Sequence, residues 1–147
     1  MSNKYDALKL ENQICFPLYA CSKEIVRLYK PFLDEIDLTY TQYITMMVLW
    51  EQKTINVKEL GNYLFLDSGT LTPLLKKLEQ KGLITRERSK EDERVVNVTI
   101  TEMGEALKEK AVEIPDKLVS CVRLPQEDAV QLYQILHKLL QVIKEEG

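Results

Sequence analysis

The chain has 147 residues, 45% of them hydrophobic and 29% charged, which is the size and composition of one ordinary globular domain. No apolar run approaches the roughly 20 residues of a membrane span, and the N-terminal sequence MSNKYDALKL lacks the apolar core of a secretory signal. These features argue against a membrane protein. They predict a cytoplasmic protein with no membrane partner, in which thiols stay mostly reduced.

The net charge of −3 argues mildly against a nucleic-acid partner, but the charge is unevenly distributed. Residues 68–90 carry two acidic side chains, Glu79 and Glu87, against six basic ones. The basic residues of this segment are Lys76, Lys77, Lys81, Arg86, Arg88 and Lys90. Residues 95–147 are acidic on balance. A local basic surface is therefore predicted.

The three cysteines, Cys15, Cys21 and Cys121, are an odd number in a reducing compartment, which predicts free thiols rather than structural disulfides. The commonest role of such a cysteine is that of a small buried hydrophobic residue. Three scattered cysteines and the single His137 offer no spacing typical of metal ligands. We therefore expect no metal site and no cofactor.

Residues 10–36, LENQICFPLYACSKEIVRLYKPFLDEI, predict one long amphipathic helix or two abutting ones. Pro17 predicts a kink or a restart near the beginning, and Lys30-Pro31 predicts a second break. The apolar positions with helical spacing are Ile14, Leu18, Cys21, Ile25, Leu28 and Phe32.

Three further helices are predicted in the middle of the chain. Thr39, followed three residues later by Gln42, is a capping box before an apolar helix. A short helix over residues 57–65 precedes a helix over residues 68–80, which has Asp67 or Ser68 as its N-cap and ends at Lys81-Gly82. The apolar face of this last helix consists of Leu71, Leu74, Leu75 and Leu78.

Two β-branched runs, GLITRERS and RVVNVTIT, are joined by the polar KEDE and predict a β-hairpin. Helix, helix and hairpin in this order are typical of a winged helix-turn-helix. The alternative is a solvated pair of helices followed by an incidental β-ribbon. The predicted fold class is mainly α with a small β-hairpin wing (α+β).

After Thr101, another N-cap, the sequence predicts a helix with a kink at Pro115 and then a long helix over residues 127–146. That last helix is apolar on too much of its circumference to be buried on one side only, which predicts a homodimer. A single domain of residues 1–147 follows, with residues 1–38 and 102–147 forming a helical dimerisation region and residues 39–101 the winged helix-turn-helix.

A DNA-reading helix needs short hydroxyl side chains at its N-terminal end and cations further along to neutralise phosphates. An arginine at the tip of a wing suits the negative potential of a narrow minor groove. The alternative role of these residues is a solvated surface. The predicted contacts with double-stranded DNA are Ser68, Thr70, Thr72, Lys76, Lys77, Arg86, Arg88, Lys90 and Arg94.

The segment LDSGTLTPLLKKLEQKGLITRERSKEDERVVNVTITEMG resembles the recognition helix and wing of the MarR family of winged-helix regulators. The stretch LENQICFPLY narrows the resemblance to the organic hydroperoxide resistance regulators. The resemblance implies that Cys15 is the peroxide-reactive residue, that Tyr29 and Tyr40 of the partner subunit hydrogen-bond to it, and that Arg94 enters the minor groove.

Peroxide attacks a thiolate, and an unperturbed cysteine is mostly protonated at neutral pH. Tyr19, one helical turn after Cys15, is the tyrosine in range within the same helix, and hydrogen bonds favour the charged form. A tyrosine cluster is more often plain core, so the supporting role of Tyr19, Tyr29 and Tyr40 depends on the resemblance.

Oxidation of Cys15 gives a sulfenic acid, which condenses with a nearby thiol to a disulfide. Cys21, about 240° further around a helix, points to another face. The two-cysteine members of the family close a disulfide between subunits, and this resemblance implies pairing of Cys15 with Cys121 of the partner subunit. Oxidation would then displace the wings from their spacing on a palindromic operator, releasing the DNA, as expected of a peroxide-sensing repressor.

Two other functions remain open from the sequence. The same fold could respond to a small aromatic ligand bound in the dimer cleft, with inert cysteines. A thiol peroxidase would use the same cysteine chemistry, but the alternating strands and helices of a thioredoxin-like sheet are missing. The sequence therefore favours a DNA-binding regulator over an enzyme.

Overall fold

The computed structural model describes residues 3–146, which divide into two compact units, one ending at Pro115 and the other beginning at Asp116. The fold is mainly helical with one small antiparallel sheet, which confirms the predicted class. In chain order the elements are two short 3-10 helices (Lys4–Leu8 and Leu10–Asn12), α1 (Cys15–Asp34), α2 (Tyr40–Gln52), β1 (Thr54–Asn56), α3 (Val57–Leu64), α4 (Ser68–Gln80), β2 (Ile84–Arg88), β3 (Val96–Ile100), α5 (Glu102–Ala111), α6 (Ile114–Cys121) and α7 (Gln126–Glu146).

The ends of α2 and α4 are set by side-chain caps. The predicted capping box of α2 is present: Thr39 Oγ1 accepts from Gln42 N at 3.3 Å, and Gln42 Oε1 accepts from Thr39 N at 3.0 Å. Of the two N-caps proposed for α4, Asp67 is the one used, because its Oδ1 accepts from Thr70 N at 2.8 Å. The hydrogen bonds from Thr70 also lower the pKa of Asp67.

The sheet has three strands in the order β1-β3-β2, one more than the predicted hairpin. β2 and β3 pair antiparallel with Arg86 opposite Val98, as a wing requires. β1 adds a third strand with Ile55 opposite Val98. Three residues are too few to show a strand pattern, so β1 is defined by its pairing rather than by its own sequence.

The core of the first unit lies where α4 packs against α3 and the sheet. The predicted apolar face of α4 is confirmed, because its four leucines, Leu71, Leu74, Leu75 and Leu78, are buried. Leu60 of α3, Ile84 of β2 and Val98 of β3 complete this part of the core. The core therefore fixes α4 against the base of the wing.

Helix α1 differs from its prediction in two respects. The residues before Cys15 form 3-10 turns rather than the start of the helix, and Pro17 lies in the first turn, where a missing N–H costs nothing. The predicted break at Lys30-Pro31 is wrong: α1 continues through Pro31 to Asp34. The proline removes one hydrogen bond close to the helix end, while burial of Leu33 holds the last turn in place.

The predicted kink at Pro115 lies slightly earlier in the structure. Helix α5 ends at Ala111 and α6 begins at Ile114, so Pro115 occupies the first turn of a new helix. Proline is compatible with that position because the first N–H groups of a helix have no partner within it. Ala111 and Ile114, on either side of the break, are both buried in the core.

Candidate functional site

A cleft of about 800 Å³ separates α3 and α4 from the wing. Ser68 and Thr72 of α4 line one wall, and Arg86, Arg88 and Arg94 line the other. The structure thus brings together five of the nine residues predicted to contact DNA. Thr70, Lys76, Lys77 and Lys90 are exposed but lie outside this cleft.

The N-terminal half of α4 presents hydroxyl groups to solvent. Ser68, Thr70 and Thr72 are all exposed. Thr72 Oγ1 donates to Ser68 O at 2.8 Å, so its oxygen lone pairs remain available to accept from a ligand. Lys76 lies one turn after Thr72 on the same face of the helix. This order of hydroxyls followed by cations suits base edges and phosphates respectively.

The two arginines of β2 are already engaged within the chain. Arg86 Nη2 donates to Glu79 Oε1 at 3.0 Å, and Arg86 N donates to Glu79 Oε2 at 3.1 Å. Arg88 Nη1 donates to Glu93 O at 2.8 Å. Both side chains therefore stabilise the wing even without DNA.

The tip of the wing carries Arg94, a cation that is almost fully exposed. The Arg94 side chain is 91% exposed, and its Nε and Nη2 donate to the two carboxylate oxygens of Asp92 at 3.1 and 3.2 Å. These hydrogen bonds from Arg94 lower the pKa of Asp92. Lys90 is also exposed in the same loop. Arg94 is thus extended from the wing and oriented by its neighbour.

Sequence reasoning missed two residues that line the cleft, Lys58 and Asn62. Both lie on α3, one helical turn apart, so they share a face. The available signal for these two residues was their spacing, a cation and an amide four residues apart on the helix that precedes α4. They add a third wall of hydrogen-bond donors to the cleft.

Cys15 is the first residue of α1 and is exposed. Tyr19, one turn later, is exposed as well. Cys21 lies on the same uninterrupted helix, about 9 Å along its axis, which exceeds the Cα separation that a disulfide allows. Within one chain, Cys15 and Cys21 therefore cannot form a disulfide while α1 is intact.

Tyr29 and Tyr40 belong to an aromatic cluster with Tyr43 and Trp50. The ring centroids of Tyr29 and Tyr40 are 4.9 Å apart, and those of Tyr29 and Tyr43 are 5.7 Å apart. Burial, followed by the neighbouring phenols, raises the pKa of Tyr43 to about 12, and burial also raises the pKa of Tyr29 and of Tyr40. All three hydroxyls therefore stay protonated as donors.

The same helix geometry separates this cluster from Cys15 of the same chain. Tyr29 is fourteen residues after Cys15 on α1, a rise of about 21 Å along the axis. Only Tyr19 of the three predicted supporting tyrosines is within a turn of that thiol.

Cys121, the last residue of α6, is exposed and belongs to the second unit. Across residues 3–146, His, Cys, Asp and Glu side chains nowhere gather in a group of three able to hold a metal ion. Over the same range, every helix is too short or too polar to cross a membrane.

Comparisons with known proteins extend these observations. Residues 27–111 match the family described as transcriptional regulator SarA/Rot. The chain is 51% identical to the organic hydroperoxide resistance transcriptional regulator of Bacillus subtilis (strain 168), over all 147 residues and 100% of both chains.

Two solved structures of AbfR, a protein of Staphylococcus epidermidis, are similar at 34% identity. Reduced AbfR bound to DNA superposes with a TM-score of 0.80 over 97% of this chain and 98% of that one. Disulfide-formed AbfR superposes with a TM-score of 0.63 over 93% and 96%. From its fold, its cleft and these relatives, the chain belongs to the MarR family of winged-helix, DNA-binding transcriptional regulators, in the branch of the organic hydroperoxide resistance regulators.

Proposed function

We propose that the reduced protein is a homodimeric, cytoplasmic repressor that binds a palindromic operator and releases it when an organic hydroperoxide oxidises Cys15. The observation that carries this proposal is the exposed Cys15 at the first position of α1. The N-terminal end of a helix carries partial positive charge, which stabilises an anion such as a thiolate. Relatives with this fold include a hydroperoxide resistance regulator and a protein seen reduced on DNA and with a disulfide formed.

The chemistry has two steps. The Cys15 thiolate attacks the hydroxyl oxygen of the hydroperoxide, the O–O bond breaks, and the alkoxide that leaves takes a proton from water to become an alcohol, so that Cys15 becomes a sulfenic acid. The thiol of the partner subunit's Cys121 then attacks the Cys15 sulfur, an S–S bond forms, and water leaves. Two electrons from a cellular dithiol reverse the oxidation and restore DNA binding.

The dimer is supported by apolar surface that the described part of the chain leaves uncovered. Ile14, directly before α1, is 86% exposed, and Leu18, Ile25 and Leu28 of α1 are also exposed. Every residue of α7 is at least partly exposed, including Val130, Leu132, Ile135, Leu139, Leu140 and Ile143. Contiguous apolar patches of this kind mark protein–protein interfaces. Helices α1 and α7 are therefore proposed as the contacts between subunits.

A dimer also provides the missing partners of Cys15. Tyr29 and Tyr40 are too far from Cys15 of their own subunit to touch it. They are therefore proposed to donate hydrogen bonds to the partner subunit's Cys15. Their raised pKa keeps both phenols protonated, so each can donate a hydrogen bond to a thiolate. Tyr19 is available to Cys15 within its own helix.

On DNA, the two clefts of the dimer would face successive major grooves about 10 base pairs apart. The hydroxyls of Ser68, Thr70 and Thr72 approach base edges, and Lys76 and Lys77 neutralise phosphates. The wing places Arg94 and Lys90 over the adjacent minor groove. A disulfide that rotates the two winged regions apart would remove several contacts in each half-site at once.

The proposal is tested by titrating the reduced protein with cumene hydroperoxide and mapping the products by non-reducing electrophoresis and mass spectrometry. We expect a covalent dimer at near-stoichiometric peroxide, linked between Cys15 and Cys121. Cys121→Ser should form no such dimer, because the sulfenic acid lacks its resolving thiol. Cys21→Ser, a matched exposed thiol on α1, should form it as the wild type does. A crosslink through Cys21 would refute the assigned pair.

Loss of one supporting phenol should slow the first step. Tyr40→Phe should reduce the rate of Cys15 oxidation at least about tenfold, because a hydrogen bond to a charged group is worth about 1.5–3 kcal/mol. The rate is measured by quenching samples with an alkylating reagent and counting unmodified Cys15. Tyr63→Phe, an exposed tyrosine of α3, serves as the control and should leave the rate unchanged. Equal rates in Tyr40→Phe and wild type would remove Tyr40 from the sensing site.

A further inference from the structure

Glu79 connects the recognition helix to the wing. It lies in the last turn of α4, and its two carboxylate oxygens accept from the backbone N and from Nη2 of Arg86 at 3.1 and 3.0 Å. One contact is with the main chain of β2 and the other with the side chain. Glu79 therefore holds both the position of the strand and the direction of the arginine.

Arg86 is poorly placed to serve as a free phosphate ligand. Its side chain is 26% exposed, whereas that of Arg94 is 91% exposed. The Nε atom of Arg86 is buried and has no hydrogen-bond partner among the described residues. The hydrogen bond from Arg86 lowers the pKa of Glu79, so this acid remains ionised opposite the guanidinium at neutral pH. The charge of Arg86 is thus largely balanced within the chain.

A second set of polar contacts joins β2 to the tip of the wing. Arg88, two residues further along β2 and on the same side of the strand, donates to Glu93 O at 2.8 Å. Glu93 directly precedes Arg94, whose own side chain is held by Asp92. Strand β2 therefore joins two sets of polar contacts, one at Arg86 with the end of α4 and one at Arg88 with the loop that carries the exposed arginine.

We propose that Glu79 and Arg86 are positioning residues that set the wing, and with it Arg94, relative to the recognition helix. This inference rests on the proposed binding of operator DNA and deepens it. The helix and the wing must engage neighbouring grooves together, so a wing that tilts freely loses its minor-groove contact even when every DNA-contacting side chain is present. Glu79, although acidic, thereby increases the affinity of the protein for DNA.

The direction in which one substitution changes the affinity for DNA distinguishes the positioning role from direct contact of Arg86 with a phosphate. If Arg86 is a phosphate ligand partly neutralised by Glu79, then Glu79→Gln frees a cation and tightens DNA binding. If the pair positions the wing, Glu79→Gln weakens binding, by about tenfold. Affinity is measured by fluorescence anisotropy on a duplex selected from a randomised pool by the reduced wild-type protein. Glu87→Gln, which removes the same charge from an exposed residue of β2, is the control and should not weaken binding.

A double-mutant cycle supplies a readout that a general loss of stability would not produce. In the dimer each substitution removes two cations, so loss of one DNA contact per chain lowers the slope of log affinity against log salt by about 1.8. With Arg86 as a positioning residue, the double variant has the affinity and the slope of Arg86→Gln alone, because Arg86→Gln already disengages Arg94 together with the rest of the wing. With Arg86 as an independent phosphate ligand, the double variant loses about 3.6 in slope and its affinity losses add.

Additive losses, or tighter binding by Glu79→Gln, would overturn the inference. Arg86→Lys, which keeps the charge but not the guanidinium geometry, should resemble Arg86→Gln rather than the wild type. All of these measurements use reduced protein without peroxide, so failure of the redox proposal would leave them interpretable. Absence of any bound duplex for the wild type would instead refute the DNA-binding premise itself.

Discussion

The Cys15→Ser protein should stay bound to its operator at a hydroperoxide dose that fully releases the wild type. Serine keeps nearly the same shape but its hydroxyl is not ionised at neutral pH and does not attack peroxide, so neither the sulfenic acid nor the disulfide can form. The expected effect is complete loss of the response with little change in affinity for DNA. Fluorescence anisotropy on the selected duplex, with increasing cumene hydroperoxide, measures both quantities in one titration.

The control for this result is Cys21→Ser, which removes another exposed thiol six residues further along the same helix. It should release DNA at the wild-type dose. Release of DNA by Cys15→Ser at that dose would show that another group senses the oxidant. If wild type and both variants all ignored peroxide, the cysteines would be inert and a small-molecule ligand in the dimer cleft would become the leading explanation.

The second large effect is expected at Gly104 in the first turn of α5, where Gly104→Ala should destabilise the fold. A Cβ atom there would press against the Leu83 carbonyl oxygen and lie 2.7 Å from Ile100 Cγ1. Gly104 O also accepts from Trp50 Nε1 at 2.8 Å, so the backbone cannot move away freely. Overpacking of this kind costs about 3 kcal/mol, which corresponds to a fall in Tm of about 10 °C for a chain of this size.

Thermal unfolding at a fixed protein concentration measures this effect, since the Tm of a dimer depends on concentration. Gly69→Ala is the matched control, because a Cβ at Gly69 meets Asp67 Oδ1 at an ordinary 3.5 Å. That substitution should raise stability by about 0.5–1 kcal/mol, since alanine is the better helix former. Equal Tm values for Gly104→Ala and wild type would show that α5 shifts to accommodate a side chain.

Much of the winged region could be predicted because its signals are local. The capping box of Thr39 and Gln42, the Asp67 cap and the four leucines of α4 act over three to seven residues, the range in which helix periodicity and hydrogen-bond geometry determine structure. The same holds for the two β-branched runs that pair as β2 and β3. Ser68, Thr72 and Arg94, predicted as contacts with DNA, line one cleft in the structure.

Errors arose where a tertiary contact outweighed a local preference. The residue directly before a proline disfavours the helical conformation, yet α1 continues through Lys30 and Pro31 because Leu33 is buried in the core. Strand β1 has only three residues and forms because it pairs with Asn97, Val98 and Thr99 of β3. Lys58 and Asn62 line the cleft because α3 packs beside α4, and their four-residue spacing places them on one face of α3 without showing what that face meets.

The sequence alone indicated the main helices, the two strands of the wing, several of the helix caps and the family to which the chain belongs, because periodicity, capping and motif are properties of neighbouring residues. Only the tertiary structure decided that Arg86 faces Glu79 and that Tyr29 gathers with Tyr40 and Tyr43 about 21 Å along α1 from Cys15. Those arrangements depend on how helices and strands pack across the fold, and packing joins residues whose separation along the chain carries no local signal.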